Sequence, residues 1–373
     1  MRFLRSISIL GLLAILTVLL PGCDASSKSQ PVTVGDGSAP PPDETTDKTP
    51  NDALRAKLDH ALDASYYGRE LDTQTNAAWQ VLHGVLAFGR DAQVMHQSES
   101  VKTVDWISAG GNLQGWKVVP HAKGLESVMD EGSKAGEGHP DQWLAVLSQC
   151  DLPRNHPITT RGRTFTLEDM IRYSQWNLFE GKECSWSLIA LSAHLTPDAR
   201  WTARDDSQWS LERIVAMEAD HALGEGACGG SHRLIGMAMA LNRYREQQPD
   251  AELTGGWLAA HEVIEEALLV AQENQQANGE FSTDYFQRPS RSNNLNDRIG
   301  ATGHTLELLA VTLPDDRLRE PWVVRSADLL CSLLKSVEKL DVDCGPLYHA
   351  VHGLALYRQR LYGTKTYAAR SSG

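Results

Sequence analysis

The feature that most constrains this sequence is a recurring type of helix start. Five predicted helices each begin with a short group of Gly, His, Cys or Ser residues, at intervals of about 45 residues and, once, about 72. A sixth predicted helix, at residues 79–87, is similar in sequence to residues 348–356. The five starts are at residues 136–139, 183–186, 228–232, 301–304 and 344–349.

A repeat of this length with two helices per unit predicts stacked helical hairpins. Six such hairpins closing on themselves form an α/α toroid, and small residues such as Gly236 and Gly353 permit a tight inner ring of helices. We therefore expect an all-α domain, with one small β-hairpin inserted near residues 101–120, where glycines separate two β-prone segments. Helices are expected near 51–62 and 77–88, and at 140–150, 166–179, 184–194, 210–223, 228–244, 256–274, 304–312, 316–335 and 346–362.

The N-terminus has the pattern of a bacterial lipoprotein signal. Arg2 and Arg5 precede an apolar run that ends at Leu20-Pro21-Gly22-Cys23. This predicts a signal peptide at 1–22, an acylated Cys23, a flexible tether at 23–50 and a folded domain at 51–373. The alternatives are a plain secretory signal or an uncleaved anchor.

Charge and cysteine content narrow the possible partners. The net charge is −13, and removal of residues 1–22 takes away two arginines and no acid, which gives −15. Because of this negative charge, we expect no nucleic-acid partner. The lipoprotein signal predicts a membrane contact through the lipid on Cys23 and an extracytoplasmic location, in the periplasm or at the cell surface. The remaining cysteines allow two disulfides with one thiol left over, or none: Cys150, Cys184, Cys228, Cys331 and Cys344.

One local motif supports the toroid. Gln275, Gly279 and Phe281 resemble the Gln-x-x-x-Gly-x-Trp repeat of terpenoid cyclases and protein prenyltransferases, with Phe in place of Trp. The resemblance implies an α/α toroid in which the glutamine caps helix carbonyls, the glycine turns the chain and the aromatic ring stacks on the helix end.

The catalytic motifs of those families are only partly present. Asp341-Val342-Asp343-Cys344 lacks the last acid of the cyclase Asp-x-Asp-Asp motif, and Asp343 is better interpreted as the cap of a helix. Tyr348-His349 is similar to half of a prenyltransferase zinc site, whose other half is absent. Gly303-His304-Thr305-Leu306-Glu307 resembles the Gly-His-x-x-Glu element of sugar epimerases, which implies that His304 is an acid–base group oriented by Glu307.

Six histidines are predicted near the starts of inner helices, which in a toroid meet at one mouth of a central cavity. Imidazoles there can act as bases, acids or ligands near neutral pH, although each can also serve only to cap a helix. Cys228 and His232 are suited to a shared metal or a thiolate–imidazole pair, or are a buried thiol and a cap; no complete metal ligand set is predicted, and the cofactor is unknown. The predicted catalytic residues are His304, Glu307, His232 and His349, and the predicted ligand-binding residues are Arg233, His139, Trp143, Trp186, His83 and His352.

Three functions remain open. The leading hypothesis is a membrane-anchored toroid that binds or processes a ligand, with carbohydrate as the expected class, in its central cavity. The first alternative is a non-catalytic scaffold for protein partners, and the second is terpenoid-type chemistry. An aromatic lining or an ordinary core would both account for Trp143, Trp186, Trp257, Phe281 and Tyr348.

Overall fold

The computed structural model describes residues 50–368. The predicted signal peptide, nearly all of the tether and Cys23 lie outside the described residues. The described part is mostly helical, as predicted, with small antiparallel sheets between the helices. Its helices are α1 (Pro50–Tyr67), α2 (Ala78–Phe88), α3 (Thr103–Ser108), α4 (Gln142–Ser148), α5 (Leu167–Trp176), α6 (Ser185–His194), α7 (Leu211–Ala219), α8 (Ser231–Gln247), α9 (Gly255–Glu273), α10 (Leu295–Thr312), α11 (Asp315–Leu318), α12 (Pro321–Ser336) and α13 (Cys344–Tyr362).

The β-structure is more extensive than the single hairpin expected near 101–120. Residues 103–108 form a helix, and the strand that begins at Trp116 pairs with the segment that follows it, because the turn at Gly124 lies there. Four two-stranded antiparallel sheets occur within residues 50–368. They pair β1 (Gln93–His96) with β2 (Glu99–Lys102), β3 (Trp116–His121) with β4 (Gly124–Met129), β5 (Pro157–Thr160) with β6 (Arg163–Thr166), and β7 (Trp201–Thr202) with β8 (Gln208–Trp209).

Polar side chains fix the starts of several helices. The Thr166 backbone N–H donates to the Asp169 carboxylate at 2.8 Å, which is half of a capping box at the start of α5. Ser210 accepts from the Arg213 N–H at the start of α7. Helix α10 begins at Leu295 rather than at the predicted 304, because the Asn294 side chain accepts from the Asn296 N–H and starts the helix earlier. His304 therefore lies in the third turn of α10 rather than at its start.

Six helices contact one another in a closed order. α2 contacts α4, α4 contacts α6, α6 contacts α8, α8 contacts α10, α10 contacts α13, and α13 contacts α2. The other long helices pack behind these six: α1 and α12 contact α13, α9 contacts α8, and α7 contacts both α6 and α8. Each of the six therefore has a neighbour from the same set on both sides.

Helices α10 and α13 approach each other closely through two glycines. A Cβ at Gly303 would lie 2.6 Å from the Cα of Ala350, and a Cβ at Gly353 would lie 3.0 Å from the carbonyl oxygen of Gly303. Any larger side chain at either position would separate the helices. This contact brings Glu307 of α10 beside the histidines of α13.

The Gln-x-x-x-Gly-x-Phe segment follows α9 and contacts α12. Gln275 Nε2 donates to the carbonyl oxygen of Trp322, in the first turn of α12, and to that of Gly279. Gly279 has φ +96°, which favours glycine. Phe281 is 1% exposed and meets the Trp322 ring edge to face at 6.1 Å. The segment thus contacts α12 as well as the end of α9, the helix that it follows.

All five cysteines of residues 50–368 are free thiols. Burial raises the pKa of Cys150, Cys184 and Cys331 to about 12 and that of Cys344 to about 11. Cys228 differs from these four, as described below. No helix among the described residues is long and apolar enough to cross a membrane.

Candidate functional site

A cavity of about 410 Å³ lies where α2, α8, α10 and α13 meet the turn that precedes α4. Acidic, amide, aromatic and imidazole groups line it, and none of the lining residues is Lys or Arg. The lining residues that bear functional side chains are Trp79, His83, Glu137, His139, Gln142, Cys228, His232, Tyr285, Asn294, Asn296, Asp297, His304, Asp343 and His349.

Four buried imidazoles form the floor of this cavity. The rings of His304 and His349 stack with their centroids 4.0 Å apart. His232 lies 5.0 Å from His349 and 5.3 Å from His304, and His83 lies 5.1 Å from His349. These residues are between 1% and 7% exposed. The sequence predicted this convergence of residues from four different helices, and we call these four residues the imidazole floor.

Glu307 holds His349 and His352, not His304 as the sequence suggested. Its two carboxylate oxygens accept from His349 Nδ1 at 2.8 Å and from His352 Nδ1 at 2.7 Å. Burial would raise the pKa of this carboxyl, but the two histidines hold it well below its usual range. The physical reason is the close contact between α10 and α13. It places two histidines of α13 within hydrogen-bond distance of Glu307, which therefore binds them rather than His304 on its own helix.

The backbone of α10 orients the His304 ring. Its Nδ1 donates to the carbonyl oxygen of Gly300 at 2.8 Å, one turn earlier in α10, so Nε2 carries the lone pair of the neutral ring. That Nε2 is buried and makes no hydrogen bond of standard geometry, although the ring interacts with the neighbouring Cys228 thiol. Burial is the largest single effect on the pKa of His304 and lowers it. Cys228, Glu307 and the Gly300 carbonyl together raise this pKa by more, so that the net shift is upward.

The other floor histidines are disfavoured as cations. Burial is the main cause in each case: it lowers the pKa of His83 to about 4 and that of His349 to about 3, with neighbouring imidazoles adding to it. The pKa of His232 is well below its ordinary value for the same reasons. Neutral imidazoles keep one lone pair each, and this is the form in which histidine binds metals.

Cys228 lies in a strained turn that directly precedes α8. Residues Ala227–Gly230 form a short 3₁₀ turn in which Cys228 has φ +50°, an uncommon value for a residue with a side chain. Burial is the largest single effect on the pKa of this thiol and raises it. His304 and the Tyr285 hydroxyl together lower this pKa by more, so that the net shift is downward. Cys228 Sγ and one ring nitrogen each of His232 and His304 all lie within 4.8 Å of one another.

His139 lies on the cavity wall, above the imidazole floor. Its Nδ1 is 3.1 Å from a carboxylate oxygen of Glu183, and its ring stacks on Trp186 at 5.9 Å. The side chain of His139 is 20% exposed, more than any residue of the imidazole floor. A carboxylate that holds Nδ1 leaves Nε2 free to exchange a proton with a molecule in the cavity.

Four predicted ligand-binding residues do not line the cavity. Arg233 is engaged by Glu218 at 3.0 Å and by the carbonyl oxygen of Glu225, and it does not line the cavity. Trp143 packs against Trp116 in the core. His352 lines two other cavities, of about 380 and 400 Å³. Trp186 is buried behind the floor, with its ring 5.0 Å from that of His232.

Several lining residues were not predicted from the sequence. Tyr285 has φ +53°, and a Cβ at Gly229 would meet its ring, so it packs tightly on the Cys228 turn. It belongs to the segment that makes one repeat interval longer than the others, and this extra length was the available signal. Asp343 directly precedes α13, and its carboxylate accepts from the Asn296 side chain at 2.9 Å rather than capping the helix.

The arrangement supports two kinds of chemistry. The His139–Glu183 pair can transfer protons, and the thiol and imidazoles of the floor offer the donor types of a transition-metal site. No protein-family model, curated protein or solved structure matches the chain.

Proposed function

We propose that the six helical hairpins form an α/α toroid whose central cavity is the active site of an enzyme acting on carbohydrate by proton transfer. The closed order of contacts from α2 through α13 and back to α2 supports the toroid. A cavity with convergent polar groups and perturbed titratable residues is the expected form of such a site.

The observation that carries the proposal is the His139–Glu183 pair on the wall of the cavity. An acid–base group must reach the substrate, and His139 is accessible while His304 is only 1% exposed. Glu183 holds Nδ1 and thereby directs Nε2 away from itself. The acid–base role that the sequence suggested for His304 is therefore assigned to His139, with His232, His304, His349 and Glu307 forming the base of the site.

The lining favours a neutral polyhydroxyl substrate. Glu137, Asp297 and Asp343 contribute carboxylates, and no cationic side chain of the lining would neutralise a phosphate or carboxylate. Trp79 and Tyr285 supply aromatic surface, on which a sugar ring can pack. The scaffold alternative has less support, because the large apolar side chains exposed in residues 50–368 are few and scattered. They are Tyr67 on α1, Val128 on β4, Leu258 and Leu269 on α9, and Leu340 after α12.

The same proposal places the enzyme outside the cytoplasm, anchored by a lipid on Cys23. The charged start, the apolar run and the position of Cys23 support it. The protein for the assay below should accordingly be extracted from membranes, and its N-terminal peptide should begin at an acylated Cys23 by mass spectrometry. A peptide that begins at Met1 or carries an unmodified Cys23 would contradict the anchor.

The enzymatic proposal is tested by NMR in D₂O. The protein is incubated with a panel of mono- and oligosaccharides, so that hydrolysis, isomerisation and deuterium incorporation are all visible in one spectrum. We expect turnover of at least one sugar, reduced about 10²–10⁴-fold by His139→Ala. Glu183→Gln should lower kcat more than it changes KM, because it disturbs the orientation of His139.

His261→Ala is the matched control. His261 also faces a carboxylate, that of Glu265 at 4.0 Å, but it lies on the outer helix α9. It should leave turnover unchanged. Equal activity in His139→Ala would contradict the assignment of the acid–base group, and a wild-type protein that neither binds nor converts any sugar of the panel would contradict carbohydrate as the substrate class.

A further inference from the structure

We infer that Cys228, His232 and His304 bind a divalent transition metal of the Zn²⁺ class, with a coordination position open to the central cavity. The inference deepens the proposed function, because it places a cofactor in that same site and rests on the cavity being functional. The first observation behind it is proximity: the three donor atoms lie within 4.8 Å of one another, at the base of the cavity.

The second observation is that two lone pairs in this cluster have no partner. Within the described residues, His304 Nε2 and His232 Nδ1 are among the few buried side-chain polar atoms that make no hydrogen bond. Buried polar groups are nearly always paired, so two unpaired ring nitrogens in one cluster require an explanation. A bound cation would satisfy both.

The third observation is a hydrogen-bond chain that makes these two nitrogens the unprotonated ones. Glu307 is a carboxylate that accepts from His349 Nδ1, so His349 Nε2 carries a lone pair. His232 Nε2 lies 3.3 Å from His349 Nε2 and donates to it, which leaves the lone pair of His232 on Nδ1. Gly300 fixes the tautomer of His304 in the same way. Carboxylates and carbonyls that hold the second nitrogen of a ligating histidine are the usual support of a metal site.

The donor types and the geometry favour a thiolate-tolerant metal with an open position. One thiolate and two imidazoles suit Zn²⁺ and Co²⁺ rather than Ca²⁺ or Mg²⁺, which prefer oxygen. Three protein ligands are the number typical of catalytic zinc sites, which leave the fourth position to water or substrate. The carboxylates of Glu137, Asp297 and Asp343 line the same cavity and attract a cation towards it.

The backbone around Cys228 shows that the thiol is held in place. Cys228 retains its uncommon φ of +50°, and the Tyr285 ring lies so close to Gly229 that no Cβ would fit there. His304 is fixed within α10 and His232 at the start of α8. The three donors therefore come from two helices and a clamped turn and are in place without a large rearrangement.

The test uses Co²⁺ and Zn²⁺ alone, with no sugar present. The full chain is stripped with a chelator and titrated with Co²⁺, which gives a near-ultraviolet charge-transfer band only when a thiolate binds it. We expect one Co²⁺ per chain with this band, displaced by one Zn²⁺. Cys228→Ser should abolish the band and weaken binding at least 10-fold, and His304→Ala should weaken binding to a similar extent.

Cys344→Ser is the matched control, because Cys344 is also a partly buried thiol near the cavity but is bonded by Gln80. It should retain the band and the affinity. Far-ultraviolet circular dichroism of each variant confirms that it is folded. Failure of the wild-type protein to bind either metal at micromolar concentration, or an unchanged band in Cys228→Ser, would overturn the inference.

The outcome is separable from that of the proposed function. Sugar turnover by a protein that binds neither Co²⁺ nor Zn²⁺ would overturn the metal site and leave the enzymatic proposal standing. Stoichiometric metal binding without turnover of any sugar would confirm the metal site and contradict the substrate class.

Discussion

At the scale of single residues, the buried ion pair of Asp141 and Lys182 supports the wall of the site. Their side chains are 10% and 5% exposed, and Lys182 Nζ lies 2.9 Å from Asp141 Oδ2. Ser174 and Ser187 also donate to this carboxylate. Asp141 directly precedes α4 and follows His139 by two residues, so the pair fixes the turn that carries the proposed acid–base group.

We expect Asp141→Asn to destabilise the protein by about 3–5 kcal/mol, because it leaves Lys182 as an uncompensated buried charge. The change to Asn removes the charge without adding backbone strain, because Asp141 has φ +61° and Asn tolerates that conformation as well as Asp does. Urea denaturation at neutral pH measures the loss. Lys182→Met combined with Asp141→Asn should recover part of it, and a double variant less stable than Asp141→Asn would contradict the pairing.

The same pair makes stability depend on acid pH. Burial raises the pKa of Asp141, but Lys182 and the two serines together lower it by more. The folded-state pKa therefore lies below the unfolded value. The stabilisation is therefore fully present above the unfolded pKa and is lost as the pH falls through the folded one. Asp141→Asn should show a smaller loss of stability than the wild type over that acid range.

At the scale of elements, the sequence predicted helix positions well but not the partners of their side chains. The spacing of His304 and Glu307 on one helix predicted a pair along α10, yet Glu307 binds His349 and His352 of α13. Helical periodicity shows which residues share a face; which residue of another helix meets them depends on the depth of packing, here set by Gly303 and Gly353.

The connection through Gln275 and Phe281 is an element whose contribution can be measured. Phe281 is fully buried against Trp322, so Phe281→Ala should lower the free energy of unfolding by about 3–5 kcal/mol. Chemical denaturation checks this. Leu269→Ala is the control, because Leu269 is 56% exposed on α9 and its loss should change stability by less than about 0.5 kcal/mol. An unchanged midpoint for Phe281→Ala would remove the structural role of the motif.

At the scale of the whole molecule, the helical patterns in the sequence were sufficient to predict a mostly helical fold but not the site. The five predicted helix starts placed His139, His232 and His349 at helix N-termini that converge on one cavity. They gave no sign of Tyr285, which belongs to the connection that lengthens one interval, nor of the pairing of His139 with Glu183. Connections follow no period, so their contacts depend on the folded arrangement of the helices they join.

Closure of the six-helix order predicts how the domain unfolds. In an open array of hairpins the terminal units have one neighbour and open first, whereas α2 and α13 here contact each other as well as their sequence neighbours. We therefore expect hydrogen exchange under native conditions to give opening free energies for α2, α8 and α13 that agree within about 1 kcal/mol. Mass spectrometry of the peptides that cover each helix measures them. Faster exchange in α2 and α13 than in α8, with fraying from both ends, would show that the ring does not close in solution and would contradict the toroid; equal protection would mean that the hairpins stabilise one another as a single cooperative unit.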